Sequence, residues 1–319
     1  MPNDTANPTQ TALERARSPS GQSPMRRRIR RFLDHRLALL SGLVLAFLCG
    51  LALCAPLIAD MLGTDGVTAD LFNRLAPSSA SNPLGTDEAG RDVLVRLLYG
   101  GRVSLAVALV TAIITAVIGA AVGLAAGYFG GPLDSLLMRL TDGVIALPLL
   151  PLLIVLAAVD LTKLGFTPET ASGQNANLYR IVVIIALVGW TTVARLVRAE
   201  ALSLRRRDFV RAAIAQGAGP ARILFVHILP NCASPLVVAT TLSIGNIILF
   251  ESVLSFLGLG IQPPTPSWGN MLTNAQDIIW DSPLLAIWPG TLIFVTVIAF
   301  NFLGDGLQDA LDPKALSNR

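Results

Sequence analysis

Val103–Phe129 reads VSLAVALVTAIITAVIGAAVGLAAGYF, a run without one charged residue. A helix needs about 20 mostly apolar residues to cross the hydrocarbon core of a bilayer. This run suffices, and five further stretches repeat its character. Leu37–Ile58 is uncharged. Val144–Val159 is short and holds Pro148 and Pro151, so its helix is expected to start near Leu133, in an amphipathic turn with Asp134, Arg139 and Asp142. Ile181–Val197 has Arg195 near its end, Ala233–Leu257 contains Glu251, and Pro283–Leu303 closes the set. The expected fold class is therefore all-α: a polytopic membrane protein with six transmembrane helices.

Composition agrees. The 319 residues are 53% hydrophobic and 14% charged, with a mean hydropathy of +0.62. A soluble domain carries about 25% charged residues. A disordered or collagen-like chain is excluded, and no nucleic-acid partner is expected. Cys49, Cys54 and Cys232 lie in or beside apolar stretches and give no disulfide framework.

Six spans place both termini on one side, together with segments 130–143 and 198–232. That side carries 18 of the 24 Lys and Arg residues, including Arg26, Arg27, Arg28, Arg30, Arg31 and Arg205, Arg206, Arg207. The other side holds Arg74, Arg91, Arg96, Arg102, Lys163 and Arg180. The positive-inside rule puts both termini in the cytoplasm. The first 24 residues, rich in Ser, Thr, Pro, Asn and Gln, read as a disordered tail. The arginine run after them reads as a topology anchor facing anionic membrane lipid. The apolar stretch beyond it is too long and too far into the chain for a cleaved signal peptide. Outside, residues 59–102 form a long loop with Asn82-Pro83-Leu84-Gly85-Thr86-Asp87. Residues 259–283 carry an amphipathic stretch from Asn270 to Trp280, with Trp268 and Trp280 read as interfacial belt residues.

The sequence contains no G-x-x-x-x-G-K-[ST], so the chain is not expected to hydrolyse ATP. G-x-S-x-G, H-E-x-x-H and C-x-x-C are also missing, and His35 and His227 belong to different regions. No catalytic residue, metal ligand or bound cofactor is expected. Gly119, Gly123 and Gly127, spaced by four, share a helix face that permits close packing; the partner is another helix of the chain or a second subunit. Glu251, followed by Ser252 and Ser255, sits inside a span and must face protein or water. It is either part of a translocation path or an interhelical hydrogen-bonding group.

The segment 198–232 is the most informative. Asp208 reads as an N-cap and Gly217 as a helix stop, bounding a helix of about eight residues, Phe209 to Gln216. Phe209, Ala212, Ala213 and Gln216 share one face. So short a helix needs something to pack on: a partner's groove or its own bundle. Pro220 opens a second helix leading through His227 to Pro230 and the fifth span.

Ala212-Ala213, Gly217 and Leu229-Pro230 resemble the EAA loop of ABC-importer permease subunits, with Arg211 at the family's Glu position and His227 at its Ile position. His227-Ile228-Leu229-Pro230-Asn231 resembles the peptide/nickel branch. So do Asn82–Asp87 with Gly90-Arg91-Asp92, Glu251–Gly260, Pro266-Ser267-Trp268-Gly269 and Leu303–Leu307. The likeness covers about Arg28 to Lys314. It implies the type I importer permease fold of a C-type dipeptide or oligopeptide permease in a bacterial inner membrane. It also implies a homologous permease partner forming a heterodimer, an external substrate-binding protein and two ATPase subunits holding ATP and Mg. The coupling helix would be Asp208, Phe209, Val210, Arg211, Ala212, Ala213, Gln216, Gly217 and Ala218. The expected organisation is a tail at 1–24, the basic segment, first span and external loop at 25–102, a transport core at 103–305, and a C-terminal cytoplasmic tail at 306–319. Nickel chelates or glutathione are alternative cargoes, and an ion-driven secondary transporter is the rival from another class.

Overall fold

The computed structural model describes residues 24–164, 167, 176–273 and 275–311. The tail expected at 1–24 lies almost wholly outside these residues, as do Lys314 and Arg319. Among the described residues all regular structure is helical: α1 Pro24–Asp34, α2 Arg36–Leu53, α3 Ala55–Leu62, α4 Val93–Phe129, α5 Gly131–Ala146, α6 Leu149–Ala158, α7 Ala176–Arg205, α8 Asp208–Ala215, α9 Pro220–Arg222, α10 Leu229–Phe256, α11 Ala275–Ile278 and α12 Leu284–Leu311. Five helical stretches are long and apolar enough to cross a membrane: α2, α4, α7, Pro220–Phe256 and α12. The pair α5–α6 makes a sixth span if counted together, but it is bent by 88°.

That bend corrects the continuous third span expected from near Leu133. Pro148 disfavours the helical conformation for the residue before it. Leu147 accordingly takes φ −78°, ψ 139°, and α5 stops at Ala146. Pro151 falls in the first turn of α6, where a missing N–H costs nothing. The second span also differs, since its helix starts at Val93. Asp92 caps it by accepting the Val95 N–H at 2.7 Å. The extra turns hold Arg96, which is buried and pairs with Asp87 at 3.2 Å. Charge at a helix mouth is thus neutralised locally, which an apolar-run criterion does not detect. The first span is split at Cys54, just before Pro56, and α3 ends at Gly63 with φ +68°.

Helix α7 is the centre of the bundle: 61% of its most apolar window is buried, against 22% for α2 and α12. Its largest partner is α4. A β-carbon at Gly119 would lie 2.7 Å from the Trp190 carbonyl, at Gly123 2.5 Å from the Ala194 carbonyl, and at Gly127 2.8 Å from the Arg198 carbonyl. All three glycines therefore let α4 press against the backbone of α7, gaining dispersion contacts that lipid does not drive by itself. The glycine face is spent inside the chain. The outward faces of α2 and α4 carry Leu43, Phe47, Ile113 and Val117, all exposed, as a lipid-facing surface requires. Between α9 and α10 the chain makes a π-helical turn, Ile223–Ile228. This wider turn accommodates Pro230, which has no N–H for the α-helical ladder.

Candidate functional site

The segment after α7 forms the predicted short helix with one change of cap. Asp208 is the first helical residue, and Arg207 precedes it in extended conformation without a side-chain cap. The acidic side chain thus favours the helix through the N-terminal dipole. Gly217 ends the turn at φ +83°. Its N–H donates to the Ile214 carbonyl at 2.9 Å, and the Ala218 N–H to the Ala213 carbonyl at 3.0 Å.

The helix has two unlike sides. Val210 and Ala213 are buried, and Val210 packs in a cluster with Val197 and Ala201 of α7, Ile223 and Ile228 of the π turn, and Cys232 of α10. Phe209, Arg211, Ala212, Gln216 and Gly217 are exposed, and Ala218 is half-buried. The face expected from spacing is therefore divided. Phe209, Ala212 and Gln216 point outward, whereas Ala213 anchors the helix. Ile214, half-exposed, joins the outer surface and was missed.

A second site lies where α10 ends. Glu251 is completely buried. Its carboxylate accepts from the Ser104 hydroxyl at 3.1 Å and from the Ser255 hydroxyl at 2.8 Å. Those hydroxyls then accept backbone N–H groups of the following loop: Ser104 from Trp268 at 3.2 Å, Ser255 from Ile261 at 3.0 Å. The Trp268 indole N–H donates to the Leu97 carbonyl at 2.9 Å, and its ring is 2% exposed. Trp268 is thus a core residue rather than the interfacial anchor expected; Trp280, at 90% exposure, is free of such packing. Gly101 permits the arrangement, since a β-carbon there would lie 2.8 Å from the Trp268 ring. One carboxylate ties α4, α10 and the loop 258–272 together. The loop partners were illegible because they come from sequence-distant elements.

A third feature is a cavity of about 360 Å³ at the α5–α6 break. Its lining includes Thr115 of α4, Leu147, Thr191 and Thr192 of α7, and Ser243 and Asn246 of α10, and no charged side chain. Beside it, two ion pairs clamp α5 to α7. Arg198 donates to Asp134 at 2.6 Å, and Arg195 to Asp142 at 2.5 Å. In the loop before α4, Asp87 pairs with Arg91 at 2.9 Å as well as with Arg96. Hydrogen bonds from the Thr68 hydroxyl and then the Thr68 and Val67 N–H groups hold Asp65 down at about 2, while burial raises Asp92. Among the described residues no three His, Cys, Asp or Glu side chains cluster to hold a metal.

Among the described residues, an all-helical bundle with five continuous membrane-length stretches and a bent sixth defines a polytopic membrane protein. Residues 119–317 match the family described as binding-protein-dependent transport system inner membrane component, and residues 23–77 match the N-terminal transmembrane domain of oligopeptide transport permease C. The chain belongs to that family, the permease subunits of ABC importers. It is 37% identical to the dipeptide transport system permease protein DppC of Alkalihalophilus pseudofirmus, over 99% of this chain and 100% of that one. It is 41% identical to the oligopeptide transport system permease protein OppC of Escherichia coli, over 89% of each chain, and 42% identical to that of Salmonella typhimurium, again over 89% of each. The chain is accordingly a multi-pass inner-membrane subunit of the peptide ABC-transporter family and not itself an enzyme; the ATPase sits in partner subunits.

Proposed function

We propose that this chain forms half of the translocation pathway of a di- or oligopeptide importer and takes its work from a separate ATPase through α8. The observation that carries this reading is the two-sided α8. Val210 fastens it to the end of α7 and, through the π turn, to the start of α10, and Ala213 is buried, while Phe209, Ala212 and Gln216 stand free. A helix of eight residues is not stable alone, so this one moves with the bundle that holds it. Force applied to its outer face passes directly to two spans. Small Ala212 allows close approach of a groove, and Gly217 ends the helix. Arg211 is exposed and available to an ATPase carboxylate.

The heterodimer partner is a homologous permease, with two ATPase subunits holding ATP and Mg at the cytoplasmic face and an external binding protein delivering substrate. Arginine distribution supports cytoplasmic termini. The printed names of the relatives support peptide as cargo, and an uncharged cavity at a proline break suits passage of a polar main chain between packed helices. No step of ATP chemistry belongs to this chain, which needs two packings of one bundle rather than a catalytic site.

Ala212→Trp tests the docking surface without touching the inner side of α8. The substituted complex is expected to lose co-purifying ATPase while the permease pair stays assembled. Retention of the ATPase at wild-type stoichiometry would overturn the role of α8.

A further inference from the structure

At one end of the bundle the start of α10 and the end of α12 border an apolar groove of about 370 Å³, walled on its third side by α1. Ile29 and Phe32 of α1, Val237 of α10 and Leu307 and Leu311 of α12 line it. Among its lining residues only Ser234 carries a polar side chain. Val237 and Ile29 are both about half-exposed, so the slot opens to the outside of the chain.

Helix α1 reads PMRRRIRRFLD. Helical spacing puts Met25, Ile29, Phe32 and Leu33 on one arc, and the five arginines fill the rest of the circle. Arg30 is exposed. One short helix thus joins an apolar wall to an arginine-rich arc. Helices of this pattern lie in the membrane interface, and clusters of four to eight basic residues there select anionic lipid. The far end of α12 carries Asp309, whose carboxylate lies 3.7 Å from His35 and which is not among the residues lining the slot.

We propose that this groove is a binding site for an anionic phospholipid, one acyl chain lying between α1, α10 and α12 and the headgroup meeting Arg30 on the arginine-rich arc of α1. An apolar slot alone accepts any acyl chain. The arginines add the charge complementarity that separates phosphatidylglycerol from phosphatidylcholine. Lipid held here would bridge the N-terminal helix to the two spans that frame the last third of the chain. Only the assignment to the cytoplasmic leaflet rests on the orientation proposed above.

Native mass spectrometry of the full-length chain in its purified complex reads the site directly, with phosphatidylglycerol and phosphatidylcholine as the probes. Wild type should retain phosphatidylglycerol preferentially. Val237→Trp, which fills the slot from an exposed position, should abolish that retention, and Ser234→Trp should repeat the loss as a second filling variant. Arg30→Ala should weaken phosphatidylglycerol about fivefold and leave phosphatidylcholine unchanged. Equal retention of the two lipids, or full phosphatidylglycerol retention by both filling variants, would overturn the proposal. So would disulfide cross-linking of Val237→Cys to another subunit, which would show a protein in the groove. Peptide uptake is not read in this experiment, so its outcome stands apart from that of the transport reading.

Discussion

A single methyl group tests how α4 meets α7. At Gly123 the added β-carbon of alanine would sit 2.5 Å from the Ala194 carbonyl, whereas at Gly290 it meets nothing within 4 Å. Gly123→Ala is expected to cost about 1–3 kcal/mol through overpacking, and Gly290→Ala to cost nothing; thermal unfolding in detergent measures both. Glu251 is tested by shape-matched removal of its acceptors. Glu251→Leu leaves the buried Ser104 and Ser255 hydroxyls without their carboxylate partner, about 1–3 kcal/mol for each group orphaned. Glu251→Gln keeps an acceptor and should lose much less. The distinguishing readout is labelling of a cysteine placed in the loop 258–272, which should rise in the Leu variant and stay low in the Gln variant. The importance of Glu251 was legible in the sequence because a lone carboxylate in an apolar span demands a partner. The role of Trp268 was not: Pro263, Pro264 and Pro266 precede it in an external loop, and only the fold shows Gly101 opening a slot for its ring.

Elements were legible where one physical rule dominated. Hydropathy located the spans, and Gly217 correctly marked the end of α8. Two rules in conflict were harder. Val144–Val159 satisfies hydropathy while Pro148 disfavours a straight helix, and the pair of helices meets at an 88° bend. Val93–Arg102 fails an apolar-run criterion yet continues α4, because Asp87 neutralises Arg96 and Asp92 supplies the cap. Pattern alone also could not divide the face of α8, since Ala212 and Ala213 differ only in which neighbour lies beside them. At this scale the clamp between α5 and α7 makes a further prediction. Asp134→Asn weakens the two-pronged Arg198 contact, by about 1 kcal/mol for a partly exposed pair. Spin-label distances between α5 and α7 should broaden in the Asn variant. An unchanged, narrow distribution would show that packing alone holds α5 in place.

The whole molecule is a bundle centred on α7, with α4 pressed onto it through glycines, α10 tied to α4 through Glu251, and α8 fastened beneath α7 and α10. Helix α7 packs against α8, lines the cavity at the α5–α6 break and carries Arg195 and Arg198 of the clamp, which is the route the proposed coupling requires. The ATPase sits in partner subunits. The most direct test is peptide uptake into liposomes containing the assembled complex and its binding protein, with ATP inside or outside the ATPase-bearing compartment, for wild type and Ala212→Trp. The account predicts uptake by wild type only with ATP on the ATPase side, and loss of that uptake in the variant while the permease pair remains intact. Uptake by wild type without ATPase or ATP, or undiminished ATP-driven uptake by Ala212→Trp, would contradict it.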